Sequence, residues 1–425
     1  MMKTSCILLI VCAALLAVAA LVPALLFNHI RVINRDIEPP DVSDLALEPR
    51  EDVPDEENAL TWFLKARDAL APETDENGEW FSLRYHLHTN RADLASVAKI
   101  VAENELVFQH LRQGVSYPHC VFPAIVHFDD PTVSLINFRL LGSLLVGRSL
   151  LEQDKGDDDT AMRDLETLSR LGQLMRQTPS CLVEVLMGCS FEGMAFDEIQ
   201  RLARNPRLSE PQLKTLLEEV ERTPPYADSL RHAIKAEFHW QNLVIDEVKT
   251  RRSFLLIHPS WIVKFISRYG FLPNQTKLDT ANLFRSRLAN VDLFYSDANR
   301  LTPPVQIPTF SQLFLKRNGG GALLYSLTAM GDDYYLGARC ELETQLAATK
   351  IILACHLFQR ATGRMPETLD ELVPDYFSSI PLDPYDGQLF RYNAGEGTVY
   401  SVGIPVASGD DLPQGERNVV FKVWE

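Results

Sequence analysis

The chain has 425 residues, 46% apolar and 23% charged, with 21 Gly and 25 Pro. That composition is ordinary for a globular protein and excludes wholesale disorder, a fibrous repeat and a polytopic membrane protein. Lys and Arg number 41 against 57 Asp and Glu, a net charge of −16, so a nucleic-acid surface has little electrostatic support.

From Ile7 to Phe27 no side chain carries a charge and nearly all are apolar. As a helix rising about 1.5 Å per residue, this run spans about 30 Å, the hydrocarbon thickness of a bilayer. Pro23 is compatible with a membrane helix when the freed carbonyl finds another partner. Three readings compete: an uncleaved signal-anchor behind a short tail with Lys3, a signal peptide cleaved after Ala17-Val18-Ala19, and a buried core helix. Length favours the anchor. A lipoprotein site at Cys12 is excluded by the bulky Leu9-Ile10-Val11 before it. The flanking charges, Lys3 on one side and Arg31 and Arg35 on the other, do not by themselves direct the body outward. The outward assignment rests on the short tail and on the resemblance below.

Residues 36–57 carry ten acidic side chains against Arg50, with Pro39, Pro40, Pro49 and Pro54. Such a segment repels itself and buries little, so an extended, solvated spacer is expected.

Residues 58–335 read as helix after helix. Apolar side chains fall at helical spacing in 58–66, 92–111, 133–151, 226–248 and 277–298. Asp130-Pro131 reads as an N-cap with Pro at the first helical position. Asp157 opens a run with Met162, Leu165, Leu168, Leu171 and Leu174, and Ser209-Glu210-Pro211-Gln212 is a capping box. Nothing in this stretch alternates like a strand, which predicts an all-α domain of helical hairpins.

After residue 336 the pattern changes. One more helix (337–361) ends at Gly363, a short helical turn (367–373) follows, and three runs at 389–393, 398–403 and 418–424 read as β-strands. The prediction is a long helix on a small antiparallel sheet. The expected organisation is thus a mainly α chain: an anchor (1–35), an acidic Pro-rich linker (36–57), an all-helical domain (58–335) and an α+β module (336–425).

The stretch Gly363-Arg364-Met365-Pro366, Leu369 to Tyr376, Ile380-Pro381-Leu382-Asp383-Pro384-Tyr385-Asp386-Gly387, Tyr392 and Tyr400-Ser401-Val402-Gly403 resembles the globular head of the major pseudopilins of type II secretion. The resemblance covers about forty residues, or a fifth of the chain with its helix, and implies a fold rather than an activity. The family's Gly and Glu around the start of the membrane helix are missing: the first glycine is Gly78, and no acid lies within residues 1–35. Processing as a pilin subunit is therefore not expected. The rest of the chain resembles membrane-anchored bacterial proteins of unknown function. Some pseudopilins hold calcium in the loop before the last strand, which implies Asp410 and Asp411, with Glu416, as the candidate metal ligands here. The family's aspartate just after Tyr-Ser-x-Gly is replaced by Ile404-Pro405-Val406.

Catalytic signals are sparse. Cys120, Cys181, Cys189, Cys340 and Cys355 form neither a C-x-x-C nor a zinc spacing. Cys181 and Cys189 lie about 12 Å apart along one helix axis, too far for a disulfide, so buried inert thiols are expected. His127 with Asp129 and Asp130, and His232 with Glu237 and His239, are the two candidate catalytic sets. Glu184, Glu192, Asp197 and Glu198 read as a charged helix face. No phosphate loop, nucleophile elbow or H-E-x-x-H is present. The expected function is a single-pass envelope protein on the inner membrane, facing the periplasm or exterior and serving as scaffold or binding module. It takes no cofactor unless calcium, and self-association is left open. An exported hydrolase is the alternative.

Overall fold

The computed structural model describes residues 35–50, 52–71, 93–251, 269–298, 316–328, 332–403 and 418–424, with a few isolated positions outside these spans. The apolar run 7–27, apart from Leu21 and Leu25, and the Asp410/Asp411 loop fall outside them. Among the described residues no helix is long and apolar enough to cross a membrane.

The described chain is mainly helical and ends in a three-stranded antiparallel sheet. Helix α1 (Ala59–Asp68) starts where the Asn58 side chain accepts from the Leu60 N–H. Two helices, α2 (Leu94–Glu103) and α3 (Glu105–Val115), replace the single one predicted over 92–111. The break is Asn104. It is 1% exposed and spends its side chain on the Ala71 N–H and the Ile100 carbonyl.

A second boundary also differs from expectation. Asp130 does not cap a helix at Pro131; its carboxylate accepts from Val126 and His127, closing a turn on its own N-terminal side. Helix α4 (Phe138–Lys155) begins only after Asn137, which sits at φ 67. It is buried on every side, the mark of a central helix. Gly156, at φ 85, ends it, and Asp157 caps α5 (Asp158–Met175) through the Thr160 N–H. Helix α6 (Leu182–Ala203) returns against α5, and the predicted capping box at Ser209 starts α7 (Glu210–Glu221). Helices α8 (Tyr226–Arg251) and α9 (Pro273–Asn290) pair with each other, and α10 (Gly319–Thr328) follows α9. The long α11 (Asp332–Thr362) packs along both α6 and α7.

Strands β1 (Arg391–Asn393), β2 (Thr398–Ser401) and β3 (Val419–Lys422) form the sheet in that order. Val399 lies opposite both Tyr392 and Phe421. One apolar cluster joins Ile351, Ile352 and Cys355 of α11 to Val399 and Phe421 on one side and to Phe196, Leu213 and Leu216 on the other. α11 is therefore shared: the helix under the sheet is also a wall of the helical body.

Residues 36–50 do not stand free as a spacer, which corrects the expectation from their charge. Asp36 accepts from the Asn274 and Gln275 N–H groups at the start of α9, and Arg285 grips the Asp44 carboxylate with two nitrogens at 2.7 and 2.8 Å. Leu45 is buried with Phe238 and Phe284. Arg50 donates to the carbonyls of Phe122 and Pro179. The acids that should repel one another are distributed over a helix N-terminus and a guanidinium instead.

Candidate functional site

The two catalytic sets proposed from sequence do not assemble. His127 and Asp129 are exposed, and Asp130 is committed to its turn. His239 Nε2 lies 2.8 Å from the Ile125 carbonyl oxygen, so Nε2 carries the proton. Glu237 accepts from the Leu182 N–H at the start of α6. His232 faces Arg50 instead, and among the described residues its Nε2 has no partner. Three residues on one helix thus serve three separate contacts.

The acids on α6 also differ from the predicted charged face. Glu184 is 1% exposed and accepts from the Ser180 hydroxyl and the Ser180 and Cys181 N–H groups, closing the helix start. Glu192, fully buried, receives Arg176 Nε at 2.7 Å. The same guanidinium reaches the Pro224 and Pro225 carbonyls and the Ser229 hydroxyl, and stacks on Tyr226 at 4.4 Å. Burial pushes the Glu192 carboxyl up while Arg176 pulls it back. The guanidinium has no neutral form near neutral pH, which is why it draws the carboxyl back toward its ionised form. The pair's satisfied geometry is structural. Only Asp197 opens outward.

Asp197 leads to a cleft. Helices α6 and α11 run side by side in the same direction: Leu182 and Tyr335 line one small gap, Gly193 lies against Gln345, and Gln200 Nε2 donates to Thr349 Oγ1 at 2.9 Å. The first turn of α4 closes the gap between them, leaving a cavity of about 550 Å3. Leu186, Met194, Ala338 and Leu342 give it apolar walls, and Ser190 and Gln345 offer hydrogen-bonding groups. The charged groups are Arg139 from α4, Asp197 from α6 and Glu341 from α11. Among the described residues, none of these three makes an ion pair or a side-chain hydrogen bond.

The cavity follows from local sequence. On α6, residues 186, 190, 193 and 197 recur at steps of three and four and so share a face; on α11, residues 338, 341 or 342, and 345 do the same. Gly193 faces Gln345: a Cβ there would sit 2.8 Å from its Oε1, the movable end of the side chain. Asp197 is exposed to the cleft yet crowded by protein. Restricted hydration, with Glu198 and Glu341 nearby, pushes its carboxyl up to about 6. A concave wall reconciles the two facts: water reaches the carboxylate from one direction only. Cys189 also lines the cleft, but burial and Glu192 push its thiol up to about 12, so it is no nucleophile at neutral pH.

Sequence reading placed Asp197 on a charged face and gave no signal for Arg139 or Glu341. These three come from helices about 60 and 140 residues apart, and no local spacing links them. Among the described residues no group of three or more His, Cys, Asp or Glu side chains could hold a metal ion. The proposed calcium ligands Asp410 and Asp411 lie outside the described residues. No disulfide joins the five described cysteines.

The motif at residues 363–403 has a clear local role. Asp383, 0% exposed, accepts from the Tyr385 N–H, the Ser401 hydroxyl, the Val402 N–H and Arg391. It ties the turn at residues 383–387 to the end of β2. Tyr392 donates to the Pro366 carbonyl at 2.9 Å. Gly363, Gly387 and Gly403 all sit at positive φ, as turn chemistry requires. Comparisons of the chain with protein-family models, curated proteins and solved structures give no match.

Proposed function

We propose that the protein is a membrane-anchored envelope binding module. Residues 7–27 hold it in the inner membrane, the body faces the periplasm or exterior, and the α6–α11 cleft takes a small polar ligand. The observation that carries the reading is the cleft: three charged groups of both signs, without an ion-pair partner among the described residues, around one cavity of about 550 Å3, within the range of small-molecule sites. The pseudopilin-like ending suits this role, because α11 is at once the helix beneath the sheet and one wall of the cleft. A head that braces a binding wall needs no filament partner.

The test is thermal melting of the detergent-solubilised full chain against a panel of cationic, anionic, zwitterionic and neutral small solutes. A solute that fits raises Tm by mass action, and Ser190→Trp, which fills the cleft, removes the rise. No shift with any class of solute would overturn the binding reading. Release of the intact chain into the soluble fraction on gentle lysis would overturn the anchor.

A further inference from the structure

We infer that the ligand of this cleft is a short peptide of two or three residues with both termini free, its carboxylate held by Arg139 and its ammonium between Asp197 and Glu341. The inference rests on the cleft being a binding site, as proposed above, and names the chemistry that fits it.

The placement of the charges argues for a zwitterion. Arg139 stands on one helix and the two carboxylates on the other two, all lining one space, yet among the described residues no carboxylate pairs with the guanidinium. A free cation would satisfy Asp197 and Glu341 but leave Arg139 unmatched, and an anion would do the reverse. Only a ligand carrying both charges answers the whole lining.

The distance between the charges sets the length. Gly142 of α4 packs on Phe191 and Met194 of α6, and the two helices run in the same direction, so Arg139 stands level with the region near Ser190. Asp197 lies seven residues further along α6, roughly 10 Å at about 1.5 Å per residue. Because the Arg139 side chain can reach along the cleft, this is the longest span the ligand has to bridge. Two or three extended residues cover roughly 7–10 Å at 3.3–3.6 Å each. Between the ends, Gln345 and Ser190 supply the donors and acceptors a peptide bond needs. Leu186, Met194, Ala338 and Leu342 offer apolar surface to its side chains. The raised Asp197 carboxyl agrees: Glu341 and Glu198 disfavour its charge until a cation arrives.

The test is isothermal titration of the solubilised full chain with Ala-Ala and Ala-Ala-Ala, their N-acetyl and C-amide forms, free alanine and 1,5-diaminopentane. The expected result is binding of the free peptides, with at least a tenfold loss on blocking either end. Arg139→Gln should abolish the discrimination against the amide, and Asp197→Asn that against the acetyl form. Both positions are exposed, so neither variant threatens the fold. Equal binding of blocked and free peptides would overturn the inference. Binding of the diamine alone would also overturn it while leaving the cleft a ligand site; a panel with no binder at all would overturn the inference too, and the cleft itself would then stand or fall on the wider solute panel above.

Discussion

At the scale of single residues, the most consequential group is Arg176. Its guanidinium is 2% exposed and serves Glu192, Ser229 and two proline carbonyls. Removing one partner of a buried ion pair leaves an uncompensated charge, which costs about 3–5 kcal/mol. Glu192→Leu is therefore expected to lower the unfolding free energy by that amount, measured by urea denaturation. The double variant R176M/E192L should recover only part of the loss, because the Pro224 and Pro225 carbonyls also lose their donor. Full recovery would mean that the carbonyl contacts contribute little. Residue roles were legible in the sequence where the partner is near. Asp157 and Ser209 cap the helices they precede, and each bond spans three residues. Glu184 and Glu192 were misread as a solvated face because their neighbours in space are a preceding loop and a different helix. A carboxylate's burial depends on what the opposite helix presents, and spacing along one helix does not carry that information.

At the scale of elements, helix contacts are set by where small residues allow backbones to meet. Gly172 of α5 and Gly188 of α6 face each other. A Cβ at the first would lie 2.5 Å from the Gly188 carbonyl oxygen, and one at the second 2.6 Å from that of Gly172. Neither obstacle is a side chain that can swing away. Ala at either position forces the helices apart, so G172A or G188A should cost about 1–3 kcal/mol. The gain in helix propensity from Gly to Ala, about 1 kcal/mol, offsets part of this. The pair G172A/G188A should cost less than the sum of the singles, since one separation accommodates both methyls. Additive losses would show that the two contacts act independently. Helix existence was readable from apolar spacing, and several boundaries were not. Asn104 and Asp130 are both good caps by type, yet their side chains turned to other backbone groups. The strap at residues 36–50 was misread for a related reason. Composition reports the repulsion among its acids, while Arg285 and the start of α9 lie more than 200 residues away.

At the scale of the whole molecule, the helical stack and the closing sheet followed from periodicity alone, because each element is local. The cleft did not, since three helices must be packed before Arg139, Asp197 and Glu341 share a space. Packing also sets how the protein responds to acid. Burial holds the imidazoles of His232 and His356 below the ordinary 6.5, with Arg50 adding to the effect at His232. His356 Nε2 lies 2.9 Å from the Val423 carbonyl oxygen, which ties α11 to the end of the sheet. A histidine whose folded value is lowered contributes stability that is present above 6.5. As pH falls through that value the unfolded chain takes up protons that the folded chain refuses, and the contribution is lost. Asp197 runs the other way. Its folded value is raised from 3.8 to about 6, so stability falls as pH rises through that window and is regained on acidification within it. Between pH 7.5 and 6 the histidines lower Tm as acid is added, while the raised Glu192 carboxyl, at about 7, opposes them. The limiting slope is about 1.4 kcal/mol per pH unit for each proton taken up. Below pH 6 Asp197 opposes the decline, and the curve should flatten. The double variant H232Q/H356Q removes both imidazoles, and Gln keeps an N–H donor for the Val423 carbonyl. Its Tm should decline less than that of the parent from pH 7.5 to 6, measured by differential scanning calorimetry, whereas a decline as steep as that of the parent would assign acid sensitivity to other groups.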